Sequence, residues 1–438
     1  MKAILDFVRQ HKQGLPVGLY SICSAHPIVI EAAMRSARDA GQAVLIEATS
    51  NQVNQHGGYT GMAPRDFHAF VMEIADRVGL PRSDVWLGGD HLGPNCWVAR
   101  NAAEAMALSM ELIERYVEAG FRKIHLDCSM SCADDPSPLD PTVAAQRAAS
   151  LCVVAERTWK RAGGEAPVYV IGTEVPVPGG AAESLHGIAV TTPAAARATI
   201  AAHRDIFLGQ GLSAAWSRVV ALVVQPGVEF DHRHVIDYRP GEAERLSAFI
   251  GQDERLVYEA HSTDYQTPGN LARLVSGHFA ILKVGPALSF ALRETLWALA
   301  DIESEWLGKD KASGFKEVVL RAMRENPVHW QKYYHDPDTR QYDLQYSLSD
   351  RIRYYWSQPD IGAAQAKMFA NLDNNPPPLA LLSQYLTRQY EAIREGRLVY
   401  SAHEILMHAI RLVIDQYRAA CRPDSLSLNV NLDIKTSI

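Results

Sequence analysis

A chain of 438 residues with 47% hydrophobic and 21% charged side chains has an ordinary globular composition, which excludes disordered and fibrous classes. A net charge of −7 without any basic tract excludes the electrostatic footprint of a nucleic-acid binder. The length passes the roughly 250–300 residues at which single cores stop growing, so one large domain with a smaller addition is expected.

The opening segment "MKAILDFVRQHKQG" interrupts a helical apolar pattern with Asp6, Arg9 and Lys12, so no signal-peptide core is expected. With no stretch near 18 apolar residues, a cytoplasmic protein without membrane contact is expected. Eight short apolar runs follow, at 15–23, 43–49, 84–90, 123–129, 167–174, 218–226, 255–261 and 279–285. Amphipathic stretches such as "PIVIEAAMRSARDAG" separate them, and two of these end on Gly120 and Gly163, where a helix C-terminal glycine belongs. Continuous apolar strands alternating with helices predict an α/β protein with a parallel sheet, and eight such units predict a (β/α)8 TIM barrel over residues 1–305. A doubly wound open sheet is the alternative. Past residue 305 the pattern is helical at 316–326, 365–375, 379–396 and 402–421, which predicts a C-terminal helical appendage, 306–438, capping the barrel. Six cysteines without a CxxC pair are expected to be reduced thiols.

In a parallel barrel the chemistry sits where the strands end. Those ends carry Ser24 and His26; Glu47, Thr49, Asn51 and Gln52; Asp90 and His91; His125 and Asp127; Glu174; Gln225; Glu259 and His261; and Lys283. Any one of them can be a helix cap, but their convergence on one rim points to a site. His91 and His261 are imidazoles suited to a divalent ion, with Glu174 or Gln225 supplying oxygen. Asp231, His232 and His234 of the "DHRH" run read as a surface turn, with a second ligand source as the alternative. Glycine pairs in "HGGYTG", "PGG" and the Lys283–Gly285 turn suit close backbone approach to an anion, though tight βα loops need glycine without any ligand. In "SLSDRIRYYW", Arg351 and Arg353 are candidates to clamp a phosphate if the appendage closes over the barrel mouth.

Six stretches in order, "IEATSNQVNQHGGYTGM", "GGDHLGPNCW", "KIHLDCSM", "IGTEVPVPGGA", "YEAHSTDYQTP" and "LKVGPALSFALRE", resemble the GatZ/KbaZ family, the Z subunits of tagatose-bisphosphate aldolase. The chain is also distantly similar to zinc-dependent class II ketose-bisphosphate aldolases. That resemblance implies Asp90 as the proton-transfer group, metal on His91 and His261, Glu174 near either the metal or the reacting centre, and substrate contacts from Ser262, Lys283 and Gly285. Glu47, Asn51, Gln52 and Asp127 join the expected substrate contacts from their strand-end positions. Gln225 stands where the aldolases place another zinc-binding histidine, which puts the ligand set in question.

The resemblance implies a divalent metal, Zn2+ first and Mn2+, Co2+ or Mg2+ otherwise. It implies C4 epimerisation of D-tagatose 6-phosphate to D-fructose 6-phosphate by retro-aldol and aldol steps. A non-catalytic partner of an aldolase subunit, a direct bisphosphate aldolase and an epimerase of unphosphorylated ketoses or uronates are the alternatives. A sugar phosphate ligand, a catalytic aldolase subunit and a second copy of the chain are the partners considered.

Overall fold

In the computed structural model, which describes residues 2–173, 181 and 187–422, the eight runs form eight parallel strands closed into one barrel. These are β1 (Leu19–Ile22), β2 (Val44–Thr49), β3 (Val85–Leu92), β4 (Lys123–Asp127), β5 (Val168–Gly172), β6 (Val219–Val224), β7 (Val257–Ala260) and β8 (Ile281–Val284). Each strand pairs with its sequence neighbours, and β1 closes on β8 with Ser21 opposite Lys283. Proline in the first turn starts seven of the helices that follow the strands, Pro27, Pro64, Pro141, Pro193, Pro240, Pro268 and Pro286, where its fixed φ suits a helix and its missing N–H costs nothing. A small antiparallel hairpin, Glu229–Phe230 with Val235–Ile236, projects beyond β6.

The fold has two cores. A large one lies between the barrel and its helices. A smaller one fills the barrel's lower half with Val168, Val170, Val223, Val257 and Ile281, sealed from below by Ile4, Phe7 and Val8 of the N-terminal helix Lys2–Lys12. Lys12 donates to the Ile250 carbonyl at 2.6 Å, and the His11 and His278 rings share a hydrogen bond of 2.9 Å, so the plug is tied to the floor.

The C-terminal helices pack directly on the helices of the barrel. Helix Ala402–Cys421 packs against helices Pro27–Asp39, Pro268–Ser276 and Pro286–Leu307, and Gly18 N–H donates to the Cys421 carbonyl at 2.7 Å. It lies in the ring of outer helices beside β1, burying Ile405, Leu406, Ile410, Ile414 and Tyr417. Local periodicity locates this helix but carries no information on which groove receives it. The stretch expected as one helix over 379–396 is two, Leu379–Tyr385 and Thr387–Arg394, broken at Leu386. All six cysteines are free thiols. Among the described residues no helix is long and apolar enough to cross a membrane.

Candidate active site

Strand alternation explains the barrel's upper half. Side chains two apart on a strand share a face, so Lys123, His125 and Asp127 of β4 stand on one face, as do Glu259 and His261 at the end of β7. Lys123 is fully buried, with Nζ 2.7 Å from Glu47 Oε1 and 2.7 Å from Glu259 Oε2, both on equally buried side chains. Lys283 pairs with the other Glu47 oxygen and lies 3.0 Å from Asp90 Oδ2. Room for the Glu47 carboxylate comes from Gly88, where a Cβ would stand 2.5 Å from Glu47 Oε1. The next glycine, Gly89, would drive a Cβ into Leu92 and Tyr116. Both glycines of "WLGGDH" therefore answer to packing.

One layer higher, three imidazoles form a triangle, with ring centres 4.9 Å apart for His91 and His261, 5.2 Å for His91 and His125, and 5.4 Å for His125 and His261. Asp90 accepts from His125 Nδ1 at 2.9 Å and from the His91 backbone N–H at 3.1 Å, an arrangement reached by His91 in the left-handed region, φ +49°. Asp127 Oδ2 meets His91 Nδ1 at 2.8 Å, and Glu259 Oε1 meets His261 Nε2 at 3.0 Å. Burial opposes ionisation of Asp90, but the surrounding His91, His261 and His125 hold its carboxyl well below the usual range. Burial likewise works against Glu259, which Lys123 and His261 pull down to about 2. His261 is lowered by burial, whereas His91, despite burial, is raised to about 9 by Asp90 and Asp127.

Ligand atoms of Asp90, His125, Glu259 and His261 all lie within 4.8 Å of one another, a donor set of two imidazoles and two carboxylates that suits a divalent ion. Two further observations fit such an ion. His125 Nε2 is buried without a hydrogen-bond partner. Four buried carboxylates (Glu47, Asp90, Asp127 and Glu259) face two ammonium groups (Lys123 and Lys283) and the His91 ring, leaving one negative charge uncompensated when His125 and His261 are neutral.

Above the cluster opens a cavity of about 650 Å3, lined by Asp90, His91, His261 and Lys283 on the barrel side. Arg353, Tyr354, Trp356, Gln365, Phe369 and His403 of the C-terminal region form the opposite wall of this cavity. Of the residues expected from sequence, Asn51, Gln52, Ser262, Gly285 and Arg353 also line this cavity. Gln52 Oε1 is engaged by the Thr49 N–H at 2.9 Å.

Two expectations need correction. The Gln225 oxygen accepts from Gly227 and Val228 N–H at 2.8 and 3.0 Å, so it closes its own turn and does not join the donor set. Arg351 is stacked over Tyr333 and Tyr354, at 3.6 and 4.6 Å, and donates to the His329 carbonyl at 2.7 Å, away from the cavity wall. His91 is held by Asp127 through Nδ1, and His125, which sequence alone leaves without a role, stands among the four clustered donors. Glu174 and the Gly179–Gly180 pair lie outside the described residues. The "DHRH" run is a turn whose Arg233 and His234 N–H groups are capped by Asp231 at 2.7 and 2.8 Å. His125 and Glu259 stand at strand ends where the sequence alone assigns them no role, and Lys123 is hidden inside an apolar run. The signal was the period-2 alternation in "KIHLD" and "YEAH".

A family profile described as "D-tagatose-1,6-bisphosphate aldolase subunit GatZ/KbaZ-like" matches residues 4–422. The chain belongs to the GatZ/KbaZ-like family. Among solved structures it is similar to a "probable tagatose 6 phosphate kinase" from Sinorhizobium meliloti 1021, with 48% identity over 92% of this chain and 100% of that one and a TM-score of 0.85. More distant is the fructuronate-tagaturonate epimerase UxaE from Cohnella laeviribosi, 13% identical over 92% of this chain and 81% of that one, TM-score 0.49. The fructose-bisphosphate aldolase of Campylobacter jejuni is 13% identical over 85% and 91%, TM-score 0.40. This GatZ/KbaZ-like chain thus carries, at the mouth of its barrel, a buried acid–imidazole cluster beside a cavity.

Proposed function

We propose that this GatZ/KbaZ-like chain is a metal-dependent epimerase that inverts C4 of a ketohexose 6-phosphate, interconverting D-tagatose 6-phosphate and D-fructose 6-phosphate. The observation that carries the reading is the donor cluster of Asp90, His125, Glu259 and His261, short of positive charge and reaching the cavity at the barrel mouth through Asp90 and His261. Membership of a family described by a tagatose-bisphosphate aldolase subunit supports the substrate class.

The C4 hydrogen is β to the ketose carbonyl and not acidic, so inversion requires the C3–C4 bond to open and close again. His125, Glu259 and His261 would hold a divalent cation, Zn2+ first among them, beside Asp90, and that ion would supply Lewis acidity toward the sugar oxygens. Asp90 lines the cavity and is the group assigned to take the proton of the C4 hydroxyl as the bond opens and to return it after closure. Asp127 fixes the His91 ring against the cavity floor through the 2.8 Å contact. The wall built from Trp356, Gln365 and Phe369 keeps the aldehyde fragment enclosed while it turns to offer its other face.

Purified protein supplied with tagatose 6-phosphate and Zn2+ should yield fructose 6-phosphate, followed by 13C NMR, with chelation stopping the exchange. No turnover, together with stimulation of a tagatose-bisphosphate aldolase partner, would sink the catalytic reading in favour of the accessory one that the family's "subunit" description supports. Free triose in a coupled assay would instead identify an aldolase.

A further inference from the structure

Phosphate groups in barrel enzymes are commonly met by the amides at a helix start, and the turn at Lys283–Gly285 invites that assignment. Here those amides are spent. The Gly285 and Ala287 N–H groups donate to Asp264 Oδ1 at 3.0 and 2.8 Å, Pro286 has no N–H, and the Leu288 and Ser289 N–H groups bond the Gly285 carbonyl. Gly285 is a glycine because a Cβ would stand 2.8 Å from the Cys23 carbonyl, a packing reason that needs no ligand. A buried carboxylate already sits where a phosphate would go, and it would repel one.

The opposite wall is built the other way. Arg353 lines the cavity, donates to the Ser349 carbonyl and, at 3.2 Å, to the Tyr354 hydroxyl. Its guanidinium lies 4.9 Å from the centre of the Tyr354 ring, which itself packs 4.5 Å from Tyr59, another lining residue. Among the described residues Arg353 has no carboxylate within salt-bridge distance, whereas Lys283 across the cavity is paired with Glu47 and Asp90. A half-buried guanidinium whose carboxylate neighbours, Asp350 and Asp264, act on it only from beyond salt-bridge distance keeps the capacity to receive an anion directly. Its field shows on the neighbouring phenol: although burial raises it, Tyr354 is brought down to about 8 by Arg353 and Arg351.

We infer that Arg353, flanked by the Tyr59 and Tyr354 side chains, is the specificity-determining residue that receives the terminal phosphate monoester of the ketose, and that the start of helix Pro286–Leu307 takes no part in phosphate recognition. This rests on the sugar-phosphate reading above. It places the reacting carbons against the strand-end cluster and the charged end of the substrate against the C-terminal region.

The test is calorimetric titration of the full chain with tagatose 6-phosphate, tagatose and inorganic phosphate, for wild type, Arg353→Gln and Arg353→Lys. Arg353→Gln should weaken tagatose 6-phosphate about thirtyfold or more, as expected for loss of a desolvated charge pair. It should leave tagatose within about twofold and abolish the binding of inorganic phosphate, with Arg353→Lys between the two. Wild-type affinity for tagatose 6-phosphate in Arg353→Gln overturns the inference, and so does an equal loss for both sugars, which would mark a structural role. If wild type binds phosphate through Arg353 but turns over no ketose phosphate, the inference stands and the proposed reaction fails. Turnover that persists unchanged in Arg353→Gln has the reverse meaning.

Discussion

Replacing Lys123 by Met keeps the length of the side chain and removes its charge from between two carboxylates. In the native barrel Lys123 Nζ is 2.7 Å from both Glu47 and Glu259, with all three side chains fully buried. Breaking a buried ion pair by deleting one partner costs about 3–5 kcal/mol, because the remaining charge stays desolvated. Two carboxylates lose a partner here, which argues for the upper end. Lys283 continues to serve Glu47, and His261 continues to serve Glu259, which argues against anything larger. At about 2 °C per kcal/mol for a chain of this size, the melting temperature should fall about 6–10 °C. Urea unfolding followed by tryptophan fluorescence gives the free energy, and the Lys123→Met, Glu47→Gln double variant should recover at least about 1 kcal/mol through the coupling of neighbours. A loss below about 1 kcal/mol in the single variant would mean that the carboxylates are not charged in the native barrel. The shortage of positive charge that favours a divalent ion would fall with it.

Metal analysis of His125→Ala and His91→Ala separates the two histidine assignments: His125→Ala and His261→Ala should lose bound Zn2+ by equilibrium dialysis and elemental analysis, while His91→Ala retains it. Gly88→Ala forces a methyl to within 2.5 Å of Glu47 Oε1, so a loss of about 1–3 kcal/mol is expected from overpacking, read by denaturant midpoint. Asp264 gives a pH signature. Burial raises its carboxyl to about 6 against an ordinary value of 3.8, while the Gly285 and Ala287 amides work to lower it. The folded chain therefore holds this proton where the unfolded chain has released it. The stabilising term is complete below about pH 4 and is lost as pH rises through about 6, in total about 3 kcal/mol. Urea unfolding of wild type and Asp264→Asn between pH 4 and 7 should show wild type losing stability relative to the variant as pH rises; parallel curves would refute the raised pKa.

The eight strands were legible because each is a continuous apolar run rich in β-branched residues, as buried parallel strands require, and their order in the barrel follows their order in the chain. The rim was legible for the same reason, since the residue that ends an apolar run is the one that leaves the core. Asp90, His261, Glu47 and Lys283 were found in this way. Less legible was the layer beneath. Lys123 sits inside a run that reads as hydrophobic, and only its spacing to His125 shows that the two share a face. Gln225 and Arg351 were misplaced because side-chain partners brought from distant segments, or from the turn itself, decide what a polar group does. For Arg351 those partners are Tyr333, Tyr354 and His329, none of which an arginine in a loop announces.

Helix Ala402–Cys421 acts as a stave in the wall of the cylinder, although more than one hundred residues separate it from the strand before it and nearly four hundred from its neighbour, helix Pro27–Asp39. A ribosome must release all eight strands, and then residue 421, before the gap beside β1 can be filled. Through that interval the apolar flanks of helices Pro27–Asp39 and Pro268–Ser276 stand open to water. Contacts so distant in sequence slow folding and lengthen the exposure of sticky intermediates. The nascent chain therefore keeps these apolar flanks uncovered until helix Ala402–Cys421 arrives.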